Sequence, residues 1–274
     1  MAPSLLILTD FFQAAAGAFQ YAVNLAAPMG ARLVLLHVRR DSALDPERFT
    51  GALQDLNAQA MELTFNSLSH ELSVPMVAEV GHGRVADAVA DAVSRHRPTV
   101  MVLGRTDPGE TPDELVTATS LDLLRTAPYP MLVVPHFVQP THPPRRVLIA
   151  VDGAPFTLGE PSLAVRRLLS ALKAELTVLQ VSEQPLPDGA LATALDSVLL
   201  AGLVQEAPQP IRTRNVTAEH PAEGILQAAA SAEFDMVLVV ARRRSFWGQL
   251  FHRSVTAQVL LRCAFPVLVL PAQE

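Results

Sequence analysis

The 274-residue sequence has little cysteine, no long apolar run and no excess of basic residues. The single cysteine, Cys263, cannot form an internal disulfide, and its apolar context predicts a buried, unreactive thiol. No stretch approaches the roughly 18 uncharged apolar residues that a membrane-spanning helix needs, and the apolar run at residues 5–8 is too short for a signal-peptide core. The net charge of −6, without a basic tail, argues against general nucleic-acid binding. We therefore expect a soluble cytoplasmic protein that binds neither membrane nor nucleic acid.

Motifs of the common catalytic classes are also missing. The eight histidines are scattered without metal-ligand spacing, and no H-E-x-x-H pattern occurs. There is no G-x-S-x-G nucleophile turn and no G-x-x-x-x-G-K-[ST] phosphate loop. The sequence therefore supports neither a metal centre nor acyl transfer nor P-loop hydrolysis.

The chain does contain an internal repeat. The apolar run at residues 5–8, followed by Asp10, recurs at residues 147–150, followed by Asp152. Later matches pair residues 32–38 with 175–181 and residues 127–135 with 263–271. Each copy of roughly 137 residues has the size of a single domain.

A proline-rich stretch separates the two copies. Residues 139–144 contain three prolines, which disfavour a helix and remove strand donors. We predict a linker there, a first domain at residues 1–138 and a second at residues 145–274.

Strand and helix patterns alternate within each half. Short continuous apolar runs, typical of strands covered on both faces, alternate with longer mixed segments that predict helices at residues 14–27, 46–72 and 84–96. This order predicts a parallel doubly wound α/β sheet of five strands per half, with helices on both faces. Such sheets bind ligands at the carboxyl ends of their strands, where Asp10 and Asp152 lie. Either aspartate could instead be a helix N-cap.

These segments resemble the universal stress protein family. Ile7-Leu-Thr-Asp10-Phe and Val147-Leu-Ile-Ala-Val-Asp-Gly153 are similar to the opening of its domain, and residues 124–134 and 265–270 to its last helix and strand. The resemblance covers the whole chain as a tandem pair. It implies two flavodoxin- or Rossmann-like domains of the adenine nucleotide alpha hydrolase-like type, each with a five-stranded sheet of order 3-2-1-4-5.

In one branch of that family, the resemblance implies ATP held by G-x2-G-x9-G-[S/T] after the fourth strand. Glycines let backbone N–H groups approach phosphate at a helix N-terminus. In the first half Gly104 fits the first glycine, but Asp107 stands at the second and Thr117-Ala118 replaces the final pair. Because a carboxylate repels phosphate, we expect this half not to hold ATP in the family manner.

In the second half, Val240, Arg243 and Arg253 replace the three glycines, while Ser254 keeps the hydroxyl. Arginines can bind phosphate by bidentate hydrogen bonds where the backbone cannot. These residues could therefore form an anion or nucleotide site; the alternative is a solvated basic patch, or ion pairs with acidic residues such as Glu223. The candidate nucleotide- or anion-binding residues of both halves are Asp10, Val38, Gly104, Asp152, Val181, Arg242, Arg243, Arg244, Arg253 and Ser254.

Three functions stay open on this reasoning. The first is a non-enzymatic tandem universal stress protein that acts in stress adaptation through ligand or partner binding. The second is an ATP-binding protein with slow hydrolysis, in which Asp10 or Asp152 lies near ribose and magnesium. The third is an interaction module without a small-molecule ligand. No cofactor is certain, and ATP or another phosphate-bearing compound is the candidate ligand.

The closing strands predict how the halves meet. The segments from Met131 to Val134 and from Val267 to Leu270 are short, apolar and followed by proline, and each would otherwise be an exposed sheet edge. We predict that they pair within the chain as an internal pseudo-dimer; a homodimer of the whole chain stays open.

Overall fold

Both halves of the chain contain strands and helices. The computed structural model describes residues 2–9, 13–39, 74–105, 123, 129–138, 142–185, 187, 189–204, 210–231, 233–242 and 254–273. The first half contains β1 (Ser4–Thr9), α1 (Gln13–Met29), β2 (Arg32–Arg39), β3 (Met76–His82), α2 (Val85–His96), β4 (Val100–Arg105) and β5 (Met131–Pro135). The helices predicted at residues 14–27 and 84–96 are thus present as α1 and α2, whereas the one predicted at 46–72 lies outside the described residues.

The second half has the same order of long strands, and a two-residue strand and two helices follow the first of them. Its elements are β6 (Arg146–Val151), β7 (Thr157–Leu158), α3 (Glu160–Leu163), α4 (Val165–Leu172), β8 (Glu175–Ser182), α5 (Ala190–Leu200), β9 (Arg212–Thr217), α6 (Pro221–Ala229), β10 (Met236–Arg242), α7 (Val255–Arg262) and β11 (Val267–Gln273).

The long strands form one continuous sheet. Its order is β3-β2-β1-β4-β5-β11-β10-β6-β8-β9, and β7 pairs with the end of β11. Within each half all neighbouring long strands are parallel. The order within each half is therefore 3-2-1-4-5, which confirms the predicted fold class.

The two halves meet where β5 pairs with β11. This pair is antiparallel, with Leu132 opposite Leu268 and Val133 opposite Val267. The structure thus confirms the predicted pairing of the two closing strands. We call this contact the seam.

Helices cover both faces of the sheet, and each face has a core that crosses the seam. Because side chains alternate along a strand, Leu132 and Leu268 face the layer that contains α1, α4 and α5. Met131 and Val267 face the opposite layer, with α2, α6 and α7. Helix α1 of the first half also contacts α4 of the second. The two halves therefore share both hydrophobic layers.

A half-buried carboxylate stabilises the start of the second half. Asp235, just before β10, accepts hydrogen bonds from the backbone N–H groups of Arg145 (2.9 Å) and Arg146 (3.0 Å). It also accepts one from Nη2 of Arg146 at 2.8 Å. These bonds fix the chain as it enters β6. The boundaries of the linker at residues 139–144 stay a prediction.

The shared core predicts that the chain unfolds as one unit. Leu268→Ala removes a fully buried side chain at the seam and is expected to lower the free energy of unfolding by about 2 to 5 kcal/mol. Urea denaturation followed by circular dichroism measures this. The control is Leu200→Ala at an 87% exposed position, expected to change stability by less than about 0.5 kcal/mol. Two separate transitions in the wild-type protein would contradict the shared core.

Asp235 predicts a pH dependence of stability. Partial burial raises the pKa of its carboxyl, but the hydrogen bonds from Arg146 and the Arg145 backbone lower it more, so the net pKa is below its ordinary value. A depressed folded-state pKa gives stabilisation that is present above the unfolded-state pKa and lost as the pH falls below about 4. We expect Asp235→Asn to be less stable than wild type at pH 7 and to lose less stability on acidification. The free energy of unfolding of both proteins is measured by urea denaturation between pH 7 and pH 3. An equal loss of this free energy in the two proteins would contradict the prediction.

Candidate functional site

The candidate residues lie at two opposite ends of the sheet. Strands β5 and β11 are antiparallel, so the carboxyl edges of the two halves point in opposite directions. Of the predicted set, Val38 and Gly104 lie at the first edge, and Asp152, Val181, Arg242 and Ser254 lie at the second. Asp10, Arg243, Arg244 and Arg253 lie outside the described residues, as do Asp107, Thr117 and Ala118.

An ion pair joins the ends of two neighbouring strands at the second edge. Asp152 follows β6, and Arg242 is the last residue of the neighbouring strand β10. Nε of Arg242 donates to Oδ2 of Asp152 at 2.7 Å, and Nη2 donates to Oδ1 at 2.8 Å. The side chain of Arg242 is 12% exposed and that of Asp152 is 58% exposed. The strand-end carboxylate is therefore held in a bidentate pair at the border between protein and solvent.

Arg242 also binds the chain that follows Asp152. Its Nη2 donates to the carbonyl oxygen of Ala154 at 2.7 Å, and its Nη1 donates to that of Pro155 at 3.0 Å. Four of its five N–H donors are thus used. Sequence reasoning grouped Arg242 with other arginines and did not anticipate Asp152 as its partner.

Residues 152–159, which we call the strap, connect β6 with α3 across the end of β10. Arg242 binds the first part of the strap. Further along it, Phe156 is buried in the core at 5% exposure, and β7 pairs antiparallel with the end of β11. Ser162 in α3 donates to the carbonyl oxygen of Pro271 at 2.7 Å. The strap therefore passes the point between β6 and β10 where strand order reverses, the usual ligand crevice of this fold.

Asp152 is not a helix N-cap, which corrects that alternative. The next helix, α3, begins at Glu160 and has Gly159 at its N-cap. Instead, Oδ1 of Asp152 accepts a hydrogen bond from the N–H of Ala154 at 3.0 Å, as in an Asx turn. The carboxylate shapes the start of the strap.

Gly153 allows the tight turn of the strap. Its φ is +80°, and a Cβ there would overlap the side-chain amide of Gln180 in β8. Oε1 of Gln180 is buried without a hydrogen-bond partner among the described residues. The backbone of Gly153 therefore packs directly on a buried amide.

The remaining described candidates have packing or capping roles. Ser254 is the N-cap of α7, where its Oγ accepts from the N–H of Ala257 at 3.1 Å. Val181 packs against Gly224, and Val38 packs on the core layer of α2. Gly104 lies opposite Val134 in β4 and β5. These contacts do not test the proposed ligand roles, which stay predictions.

The sequence model of the universal stress protein family matches residues 1–135 and again residues 144–271. The chain belongs to the universal stress protein family. Among curated proteins, no sequence relative was found.

Solved structures with the same fold cover nearly the whole of this universal stress protein. A universal stress protein from Archaeoglobus fulgidus DSM 4304 has 15% identity and a TM-score of 0.68, with 99% of each chain covered. A putative universal stress protein from Pseudomonas aeruginosa UCBPP-PA14 has 16% identity and a TM-score of 0.60, over 99% of this chain and 94% of that one. The cytoplasmic domain of a prokaryotic cation chloride cotransporter has 12% identity and a TM-score of 0.53, over 99% and 95%. At these identities the likeness shows the fold.

Arg105 forms a second arginine contact that sequence reasoning missed. It ends β4 in the first half, next to Gly104, and donates to the carbonyl oxygens of Leu260 and Cys263 (2.7 Å for Cys263) at the end of α7. A cation suits the carbonyl end of a helix. The contact links the first candidate edge to the last helix of the second half.

The Cys263 thiol is buried, as predicted, and burial raises its pKa.

A further ion pair lies at the surface of the second half. Glu223 of α6, weighed as a partner for the arginine cluster, pairs with Arg262 of α7, and three of the cluster's arginines lie outside the described residues. Among the described residues, no three His, Cys, Asp or Glu side chains converge as a metal site. No helix in the described part of the chain is long and apolar enough to cross a membrane.

The turn at Gly153 predicts a specific loss of stability. Gly153→Ala adds both the strain of a positive φ and an overlap with Gln180, so we expect a loss of about 1 to 3 kcal/mol or more. Gly189→Ala is the matched control, since its φ is +86° but a Cβ would meet nothing within 4 Å. Thermal and urea unfolding of both variants measure the difference. Equal destabilisation of the two variants would show that the Gln180 side chain moves away from the new Cβ at no measurable cost.

Proposed function

We propose that this universal stress protein acts in stress adaptation as a cytoplasmic binding protein for a phosphate-bearing ligand or a protein partner, without catalytic turnover. The observation that carries this proposal is the pair of Asp152 and Arg242 at the second edge. It brings a preorganised arginine to the carboxyl end of a parallel strand, where ligands of this fold bind. It also engages the carboxylate that an enzymatic mechanism would need.

Slow ATP hydrolysis has less support than binding. In that alternative Asp152 lies near ribose and magnesium, but a bidentate guanidinium already neutralises this carboxylate. A nearby arginine opposes a divalent cation by direct repulsion. In the first half, Gly104 fits the family motif, whereas the carboxylate of Asp107 would repel phosphate. The family pattern is thus incomplete in both halves.

A pure interaction module is the second candidate. The strap favours it, because residues 152–159 occupy the second crevice with the chain's own backbone. The replacement of all three motif glycines in that half points the same way. Under this alternative both crevices are structural and a protein surface performs the function.

Ligand carried through purification separates these candidates. We expect native mass spectrometry of the full chain to detect a phosphate-bearing compound, since a nucleotide-type ligand held tightly by a binding protein survives gentle purification. An empty protein would favour the interaction module. Release of inorganic phosphate from Mg-ATP in a single turnover would favour the enzyme.

Calorimetric titration with Mg-ATP tests whether the first half binds ATP through the glycine motif of the family. We expect no micromolar binding there, since Asp107 places a charge where phosphate oxygens would lie. Gly104→Val is the control, because it alters the one motif glycine that this half retains. Micromolar affinity in wild type that disappears in Gly104→Val would contradict the proposal for this half.

A further inference from the structure

The contacts of Arg242 divide into two groups with different roles. One side of the guanidinium, Nε and Nη2, binds the two carboxylate oxygens of Asp152. The remaining bonds join Nη2 to the Ala154 carbonyl and Nη1 to the Pro155 carbonyl. The first group has the geometry that arginine uses for phosphate; the second holds the guanidinium in position.

We propose that Arg242 is a preformed phosphate receptor whose binding side is occupied by Asp152, so that the site is autoinhibited until a phosphate-bearing ligand displaces this carboxylate. The inference rests on the proposed function in assuming such a ligand. It adds the atom that receives the ligand, the internal group that competes with it, and the direction in which mutation changes affinity.

The competition follows from the shape of the two anions. A carboxylate and a phosphate both present two oxygens to the same fork of parallel N–H bonds. The distances of 2.7 and 2.8 Å show that Asp152 uses this fork fully. Asp152 and a phosphate therefore cannot bind this side of Arg242 together.

Groups other than the Asp152 carboxylate also hold the guanidinium. Two backbone carbonyls hold the guanidinium, at 2.7 Å for Ala154 and 3.0 Å for Pro155, and the Arg242 side chain is only 12% exposed. The second part of the strap is anchored separately, by the buried Phe156 and by β7. The Pro155 carbonyl and these later anchors keep hold of the guanidinium when the Asp152 carboxylate rotates away, which reduces the entropy lost on binding a ligand.

Asp152 is the part that can move. Its side chain is 58% exposed, so the carboxylate can rotate into water without crossing the core. Apart from Arg242, its described hydrogen-bond partner is the N–H of Ala154. A phosphate carries more negative charge than the carboxylate it replaces and gains more from the partly buried guanidinium.

The test is titration of the full chain with pyrophosphate at two salt concentrations. We expect Asp152→Ala to bind pyrophosphate about threefold to tenfold more tightly than wild type, because the mutation removes an internal competitor of modest strength. Asp152→Asn, which keeps the bond to Ala154 without the charge, should also bind more tightly than wild type. Asp152→Ala/Arg242→Gln should lose the gain.

A matched control separates this effect from net charge. Glu223→Ala removes one carboxylate from the exposed pair with Arg262 and changes the net charge as Asp152→Ala does. It should bind pyrophosphate as wild type does. The proposal that Arg242 is a phosphate receptor would be overturned if Glu223→Ala bound pyrophosphate as tightly as Asp152→Ala does. It would also be overturned if Asp152→Ala bound pyrophosphate no more tightly than wild type.

The outcome also distinguishes this inference from the broader proposal. Pyrophosphate binding that stays as tight in Asp152→Ala/Arg242→Gln as in Asp152→Ala would overturn the proposal that Arg242 is the receptor, whereas Mg-ATP binding that is equal in wild type and in the double variant would support a separate ligand-binding site in the first half. Mg-ATP binding that weakens in Asp152→Ala would show that Asp152 contacts the ligand, as in the hydrolytic alternative, and would also overturn the inference.

Discussion

The antiparallel pairing of β5 with β11 is the contact on which the rest of the structure depends. Each half alone would leave an apolar edge strand open to pairing with other chains. At the seam, each opposed valine, leucine or methionine is buried and contributes about 1.5 to 3 kcal/mol relative to exposure. Because the alternating side chains enter both layers, the seam joins two domain cores into one.

The same pairing decides where the candidate sites lie. An antiparallel seam sends the carboxyl edges of the halves to opposite ends of the sheet. It also brings the amino end of β11, and with it the end of α7, beside the carboxyl end of β4. Arg105 can reach the carbonyls of Leu260 and Cys263 for this reason. Helix α7 thus begins at one candidate edge, with Ser254, and ends at the other.

Sequence reasoning predicted the features that arise from local pattern. Apolar runs predicted the strands, and the family resemblance implied the order 3-2-1-4-5 that both halves show. The unprotected closing strands indicated the seam. The strap was missed because β7 has only two residues and no readable periodicity. The repeat also suggested one role for Asp10 and Asp152, but the structure describes only Asp152, which β7 follows.

The ion pair between Asp152 and Arg242 could not be predicted from spacing. Its partners are separated by 90 positions in the chain, and they meet only because β6 and β10 are neighbours in the sheet. Four adjacent or nearby arginines looked equivalent in the sequence, whereas the fold gives Arg242 a defined set of acceptors. Long-range pairing of side chains depends on topology, and topology is settled by the whole chain.

The seam also affects how the protein is made. Strand β5 leaves the ribosome about 136 residues before its partner β11, which at about 5–20 residues per second means a wait of roughly 7 to 27 seconds. During that interval the first half presents an unpaired apolar edge to other nascent copies of itself. Translation speed across the second half therefore sets how long each new molecule is exposed to pairing with the wrong chain.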